Sequence, residues 1–185
     1  MIVHISGVQG SGKTYICEKI SKNKKIVCID TDDIMYQTFN HIENNGLPQN
    51  NRTFNKIEKR IKAEYIKQNQ GKIIVFSGMT VEIPEADQKY FIKIDDLGSV
   101  FKRLMLRELE KIYQNYNQIK KVIKSSKDIE NLGLEIENAA KLGVSFPTHF
   151  QEFKRDYESM TKKMIKKGYQ VKTQKEIISD LLKLK

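Results

Sequence analysis

Tryptophan is absent from the 185 residues, proline occurs three times, histidine three times and cysteine twice. Cys17 and Cys28 are too few and wrongly spaced for a secreted disulfide framework or a zinc site. They are read as reduced, buried small side chains. His4, His41 and His149 stand apart from one another and from any metal-ligand spacing, so they are read as structural. No apolar run approaches the length that a membrane helix needs, and Met1 passes directly into a short β-branched segment without a signal peptide; the expected location is the cytoplasm, with no membrane partner. Internal repeats and low-complexity tracts are also missing. Arginine is scarce beside lysine, and the lysines behind the net charge of +10 are spread over nearly every helical segment rather than gathered in one stripe. That distribution favours nucleotide-sized partners over polymeric nucleic acid, which stays as the alternative partner. With 39% apolar residues, the chain suffices for one core, and a single domain over 1–185 is expected.

Against this background stands one dense motif, Gly7-Val-Gln-Gly-Ser-Gly-Lys-Thr14. It satisfies the pattern G-x-x-x-x-G-K-[ST] and has the context that pattern needs, a β-branched run before it and helical spacing after it. Gly7, Gly10 and Gly12 permit torsions and close approaches that a Cβ forbids, so successive N–H groups turn inward as an anion cradle. The following helix points its positive end at the same phosphate. Gly7, Gln9, Gly10, Ser11, Gly12, Lys13 and Thr14 are therefore the candidate ATP-binding residues, with Lys13 bridging phosphate oxygens and the Thr14 hydroxyl ligating Mg²⁺.

Strands alternate with helices along the chain. Strands are expected at 1–5, 25–30, 72–77, 90–94 and 168–173, and helices at 13–22, 32–41, 53–69, 98–124, 147–167 and 174–184. The implied class is α/β with the P-loop NTPase fold, a five-stranded parallel sheet flanked by helices and carrying a helical lid insertion. Residues 32–70 form the expected helical substrate-binding region and about 98–150 the lid or cover.

The second strand ends in Asp30-Thr-Asp-Asp33, three acids within four positions. In open α/β sheets ligands bind outside the carboxyl ends of the strands, so these acids are expected to face the crevice of the phosphate loop. One of the three serves as a helix cap. The others suit a phosphoryl transferase, which needs a carboxylate that organises Mg²⁺ and one that accepts the acceptor's proton. The third strand closes on Ser77-Gly78 without the terminal Asp of a mechanical ATPase.

These motifs resemble the small P-loop kinases: shikimate, gluconate and nucleoside monophosphate kinases, with the polynucleotide 5′-hydroxyl kinases as relatives. The resemblance implies that Asp30 acts on Mg²⁺ and Asp32 contacts the acceptor hydroxyl, whereas the polynucleotide kinases place their base one position later, at Asp33. It implies that Gly78 lines the substrate floor. The substrate-holding Phe-Arg-x-x-Glu of shikimate kinases is matched by Phe54-Asn-Lys-Ile-Glu58, with Asn55 in place of the arginine; Arg52 and Arg60 flank it, and Arg52 is the candidate substrate ligand. Arg103 and Arg107, four apart and so on one helical face, are candidate catalytic lid cations, and Arg155 a candidate for an anionic substrate group. The expected activity is ATP- and Mg²⁺-dependent transfer of the γ-phosphoryl group to a hydroxyl or phosphate of a small molecule, a nucleotide, nucleoside or polar metabolite. A polynucleotide 5′-hydroxyl kinase and a non-catalytic nucleotide-binding module are the alternatives.

Overall fold

The computed structural model describes residues 1–79, 81, 83–125 and 150–184. These divide into two compact units, Met1–Asp95 with Met160–Lys185 and Asp96–Ser159. In the first unit five strands, β1 (Ile2–Ser6), β2 (Ile26–Asp30), β3 (Ile73–Ser77), β4 (Gln88–Ile92) and β5 (Gln170–Lys172), form one sheet in the order β2-β3-β1-β4-β5. Every pairing is parallel. The helices of this unit are α1 (Lys13–Ile20), α2 (Thr31–Asn44), α3 (Asn51–Gln68) and α6 (Gln174–Lys183).

Side chains alternate across the sheet, which sorts the β-branched strands into two core layers. Val3, Ile5, Ile73, Val75, Tyr90 and Ile92 pack with Ile16 and Ile20 of α1 and Ile177 and Leu181 of α6. On the other face Ile29, Ile74 and Phe76 pack with Ile34 and Ile42 of α2 and Ile57 and Ile61 of α3. The helix starts are written locally. Asp30 caps α2 by accepting from the Asp32 amide, Asn50 caps α3 through the Thr53 amide, and Thr173 with Glu176 makes a capping box on α6.

Cys17 on α1 and Cys28 on β2 are half-buried and joined as a disulfide, with Cα atoms 5.8 Å apart. This corrects the expectation of two reduced, buried thiols. The connection from α1 to β2 is only a few residues long, and the chain's return along the sheet sets the two side chains opposite one another at a separation a disulfide accepts.

The second unit holds α4 (Leu97–Ser125) and the first part of α5 (Phe150–Lys166), whose residues from Met160 onward belong to the first unit. Val100, Leu104, Phe153 and Tyr157 are buried, and the Phe101 ring stands 5.5 Å from Phe150 and 5.6 Å from Phe153. Asp96 accepts from the Ser99 amide and hydroxyl at the start of α4. Those bonds hold its carboxyl below the usual range, with a smaller contribution from Arg103. Residues 126–149 of the expected cover, with His149, lie outside the described residues.

Candidate active site

The parallel register fixes the site's floor. Asp30 pairs with Ser77, and Ser77 with Ile5, so the carboxyl ends of β2, β3 and β1 lie side by side. At about 4.8 Å per strand, the acidic end of β2 stands roughly 10 Å from the start of the phosphate loop.

Between β1 and α1 the loop takes its shape from three glycines used in two ways. Gly10 and Gly12 have φ of 74° and 90°, in the left-handed region that favours glycine. Gly7 is needed for space, since a Cβ there would sit 2.6 Å from Ser11 Oγ and 3.2 Å from Ile92. Gly12 is the N-cap of α1 and brings no side-chain oxygen, and the first turn of that helix has no acidic residue. The amides at this end are left for an anion. Ser11 Oγ is buried without a hydrogen-bond partner in the protein, and Gln9 and Thr14 are exposed. These features fit the triphosphate of ATP.

Lys13 Nζ donates to Gly7 O at 2.6 Å and to Val8 O at 3.2 Å. Burial lowers its pKa from the usual lysine value, and the charges of Asp32 and then Asp30 partly restore it. The acidic strand end and the loop lysine thus share one electrostatic site, with Asp32 the stronger partner. Asp33 makes no comparable contribution to Lys13. Asp30 Oδ1 accepts from Asp32 N at 2.9 Å, so capping engages one of its carboxylate oxygens. All three acids are exposed. Among the described residues no cluster of three or more His, Cys, Asp or Glu is arranged to hold a metal. Mg²⁺ in kinases is commonly held by one or two protein oxygens plus the phosphates, and Thr14 with Asp30 fits that donor set.

Gly78 has a packing role. A Cβ there would collide with Thr31 Oγ1, and φ is 156°. Its carbonyl faces buried His4, whose Nε2 stands 3.2 Å away, while His4 Nδ1 lies 2.6 Å from the Tyr169 hydroxyl. The floor between β3 and α2 is therefore set by Gly78, Thr31 and His4 together.

Two further contacts escaped the sequence. Gln174, at the first position of α6, donates to Ser11 O at 2.6 Å and occupies the space beside Gly12. It braces the loop from 163 residues away. On α3, Lys62 and Glu58 pair at 3.2 Å with little exposure of either side chain. Glu58 of the Phe54–Glu58 segment is therefore neutralised within its own helix, where the resembling pattern offers an arginine.

Arg52 lies exposed in the first turn of α3, and Arg60 contacts Glu64 and His41. Arg103 and Arg107, one turn apart on α4, and Arg155 on α5 are exposed residues of the second unit. Leu106, on the same stretch of α4, is 56% exposed.

Among the described residues no helix is long and apolar enough to cross a membrane. No match to the chain was found among curated proteins. Among solved structures, the shikimate kinase of Bacteroides thetaiotaomicron aligns at 13% identity with a TM-score of 0.37, over 76% of this chain and 77% of that one. Residues 9–93, from the phosphate loop through β4, match the family model described as shikimate kinase. Over those residues, a little under half of the chain, it is similar to the shikimate kinases, a family of small ATP-dependent P-loop kinases.

Proposed function

We propose that this chain transfers the γ-phosphoryl group of ATP to a hydroxyl of a small polar metabolite, with Asp32 as the base. The observation that carries this reading is the coupling of Asp32, ahead of Asp30, to the Lys13 ammonium. That charge interaction supports a carboxylate acting near the phosphate that Lys13 holds in this reading. In this scheme the loop amides and Lys13 hold the β- and γ-phosphates, and Lys13 leaves the Gly7 and Val8 carbonyls to do so. Asp32 accepts the proton of the attacking hydroxyl, while Gly78 and Arg52 border the acceptor. Thr14 and the second carboxylate oxygen of Asp30 would hold Mg²⁺, which would supply charge neutralisation to the phosphates. Arg103 and Arg107 are the cations this scheme assigns to the migrating group, and Arg155 the one it assigns to an anionic group of the acceptor.

Shikimate is the first acceptor to test, on the strength of the family match. Asn55 and the Lys62–Glu58 pair alter the segment that would hold its carboxylate, so a related hydroxy acid, a nucleoside or a nucleotide belongs in the same panel. A second reading, a polynucleotide 5′-hydroxyl kinase with Asp33 as base, draws on Tyr36 and Phe39, 68% and 54% exposed on α2 just beyond Asp33 and suited to stacking on bases. Mg²⁺-dependent ADP release with shikimate, other hydroxy acids, sugars, nucleosides, nucleoside monophosphates and 5′-hydroxyl oligonucleotides separates the readings. Stimulation by a small acceptor is the expected result. Stimulation by oligonucleotides alone selects the second reading, and tight ATP binding without stimulated turnover leaves a nucleotide-binding module.

A further inference from the structure

A hollow of about 370 Å³ lies within the first unit, between the second half of α2 and the start of α3. Its size suits a small ring system. Buried Ile42 lines it together with Phe39 and Phe54, whose ring centroids stand 5.0 Å apart at 55°. The rest of the lining is three consecutive amides, Gln49, Asn50 and Asn51. Asn50 Oδ1 accepts from the Thr53 amide in capping α3, while Gln49 and Asn51 are exposed. Aromatic rings offer a surface for stacking, and side-chain amides beside them offer both a donor and an acceptor. A planar ring with donors and acceptors on its edge matches that set, and a nucleobase is such a ring.

Helix α2 ties this hollow to the acidic strand end. Asp32, Tyr36 and Phe39 are spaced i, i+4 and i+7, so they fall on one stripe of the helix. All three are exposed, Tyr36 at 68% and Phe39 at 54%. Neighbouring exposed aromatics that border a hollow mark a binding surface. Seven residues of helical rise set Phe39 about 10 Å along α2 from Asp32, a span that a nucleoside bridges from its sugar hydroxyl to its base. We infer that the acceptor is a nucleoside. Its base stacks on Phe39 and Phe54 with its edge at Gln49 and Asn51, its sugar lies along Tyr36, and its primary hydroxyl reaches Asp32. The hydroxyl oxygen bonds the γ-phosphorus of ATP as the bond to the β-phosphate oxygen breaks; ADP leaves with that electron pair and the proton goes to Asp32. The inference rests on the proposed reading of Asp32 as the base and names its substrate class.

Binding and turnover are measured separately on the full chain. Calorimetric titrations with Mg·ADP saturating the phosphate loop, which keeps the probe out of the nucleotide site, compare adenosine, guanosine, cytidine, uridine, ribose, shikimate and a 5′-hydroxyl oligonucleotide. At least one free nucleoside should bind about tenfold or more tightly than ribose and shikimate. Phe39→Ala, at an exposed position, should weaken that nucleoside about tenfold, and Phe39→Tyr should keep the wild-type affinity; ADP should bind both variants as it binds wild type. Four results would overturn the inference: nucleosides no tighter than ribose, affinity unchanged in both Phe39→Ala and Phe39→Ala/Tyr36→Ala, binding of the oligonucleotide alone, or a bound nucleoside that gains no phosphate. Each of them leaves Asp32 open to another acceptor. A nucleoside that binds as expected and is phosphorylated equally by wild type and Asp32→Asn would uphold the nucleoside and remove Asp32 as its base.

Discussion

Lys13 shows how a single residue is set against stability. Its ammonium is held away from water on carbonyls of its own loop, and burial lowers its pKa. Between that lowered value and the usual 10.5, the unfolded chain binds more protons than the folded one, so folding stability rises with pH through that window. Phosphate binding works in the opposite direction, because an anion raises the Lys13 pKa. Nucleotide binding should therefore take up protons, and affinity should fall as pH climbs through the lowered value; calorimetry in buffers of different ionisation enthalpy would show this. Lys13→Met should leave the thermal midpoint of the free protein equal or higher while abolishing its rise with Mg·ATP. The acids separate by the same electrostatics. Asp32→Asn should cost about 10²–10⁴ in kcat, with Asp33→Asn close to wild type; the reverse order would move the base to Asp33. Most of the loop was readable residue by residue, because its chemistry needs fixed residue types at fixed spacing. Gln174 was not readable: glutamine at a helix start fits ordinary sequence, and its contact with Ser11 exists only once α6 lies against α1.

Elements were legible where local signals agreed. Each of the five strands and six helices expected from periodicity has a counterpart, with ends displaced by a few residues. Their β-branched runs, the Asp and Asn caps and the Thr173–Glu176 box all act within a turn. Hydrogen bonds from the Thr173 backbone and side chain hold the Glu176 carboxyl below its usual range. The box thus contributes fully above the unfolded value, and that contribution fades as pH falls through the lowered folded value. What pattern could not supply was the meeting of separate elements. Gly78 was readable as a floor or a turn, yet Thr31 on another element is what excludes a side chain there. Gly78→Ala should therefore destabilise the protein by about 1–3 kcal/mol through overpacking and backbone strain, read as a lower urea midpoint at unchanged m-value. The Cys17–Cys28 disulfide was illegible for a related reason: it depends on how α1 returns to β2, not on either cysteine's neighbours.

At the scale of the whole molecule, the family match ends at residue 93, so the cations of α4 and α5 lie beyond it. The sequence marked them through the scarcity of arginine and the four-residue spacing of Arg103 and Arg107. All three arginines are exposed, on a unit where Val100, Leu104 and Phe153 are buried. Arg103→Ala and Arg107→Ala should lower kcat by about 10³-fold or more at saturating ATP and acceptor, as removal of a charge-stabilising arginine does in phosphoryl transfer. ADP affinity should hardly change. A loss confined to stability, with normal kcat in the folded fraction, would remove these residues from the mechanism.

The central claim is that a phosphate loop and Asp32 act together on a small acceptor. Its most direct measurement is the ratio of phosphorylated acceptor to ADP formed by wild type and Asp32→Asn, at saturating Mg·ATP and the best small acceptor of the panel. The account predicts one phosphorylated acceptor per ADP in wild type, and in Asp32→Asn a turnover lower by about 10²-fold or more with nucleotide binding intact. Equal turnover in the two proteins, or ADP formation without any phosphorylated acceptor, would contradict it.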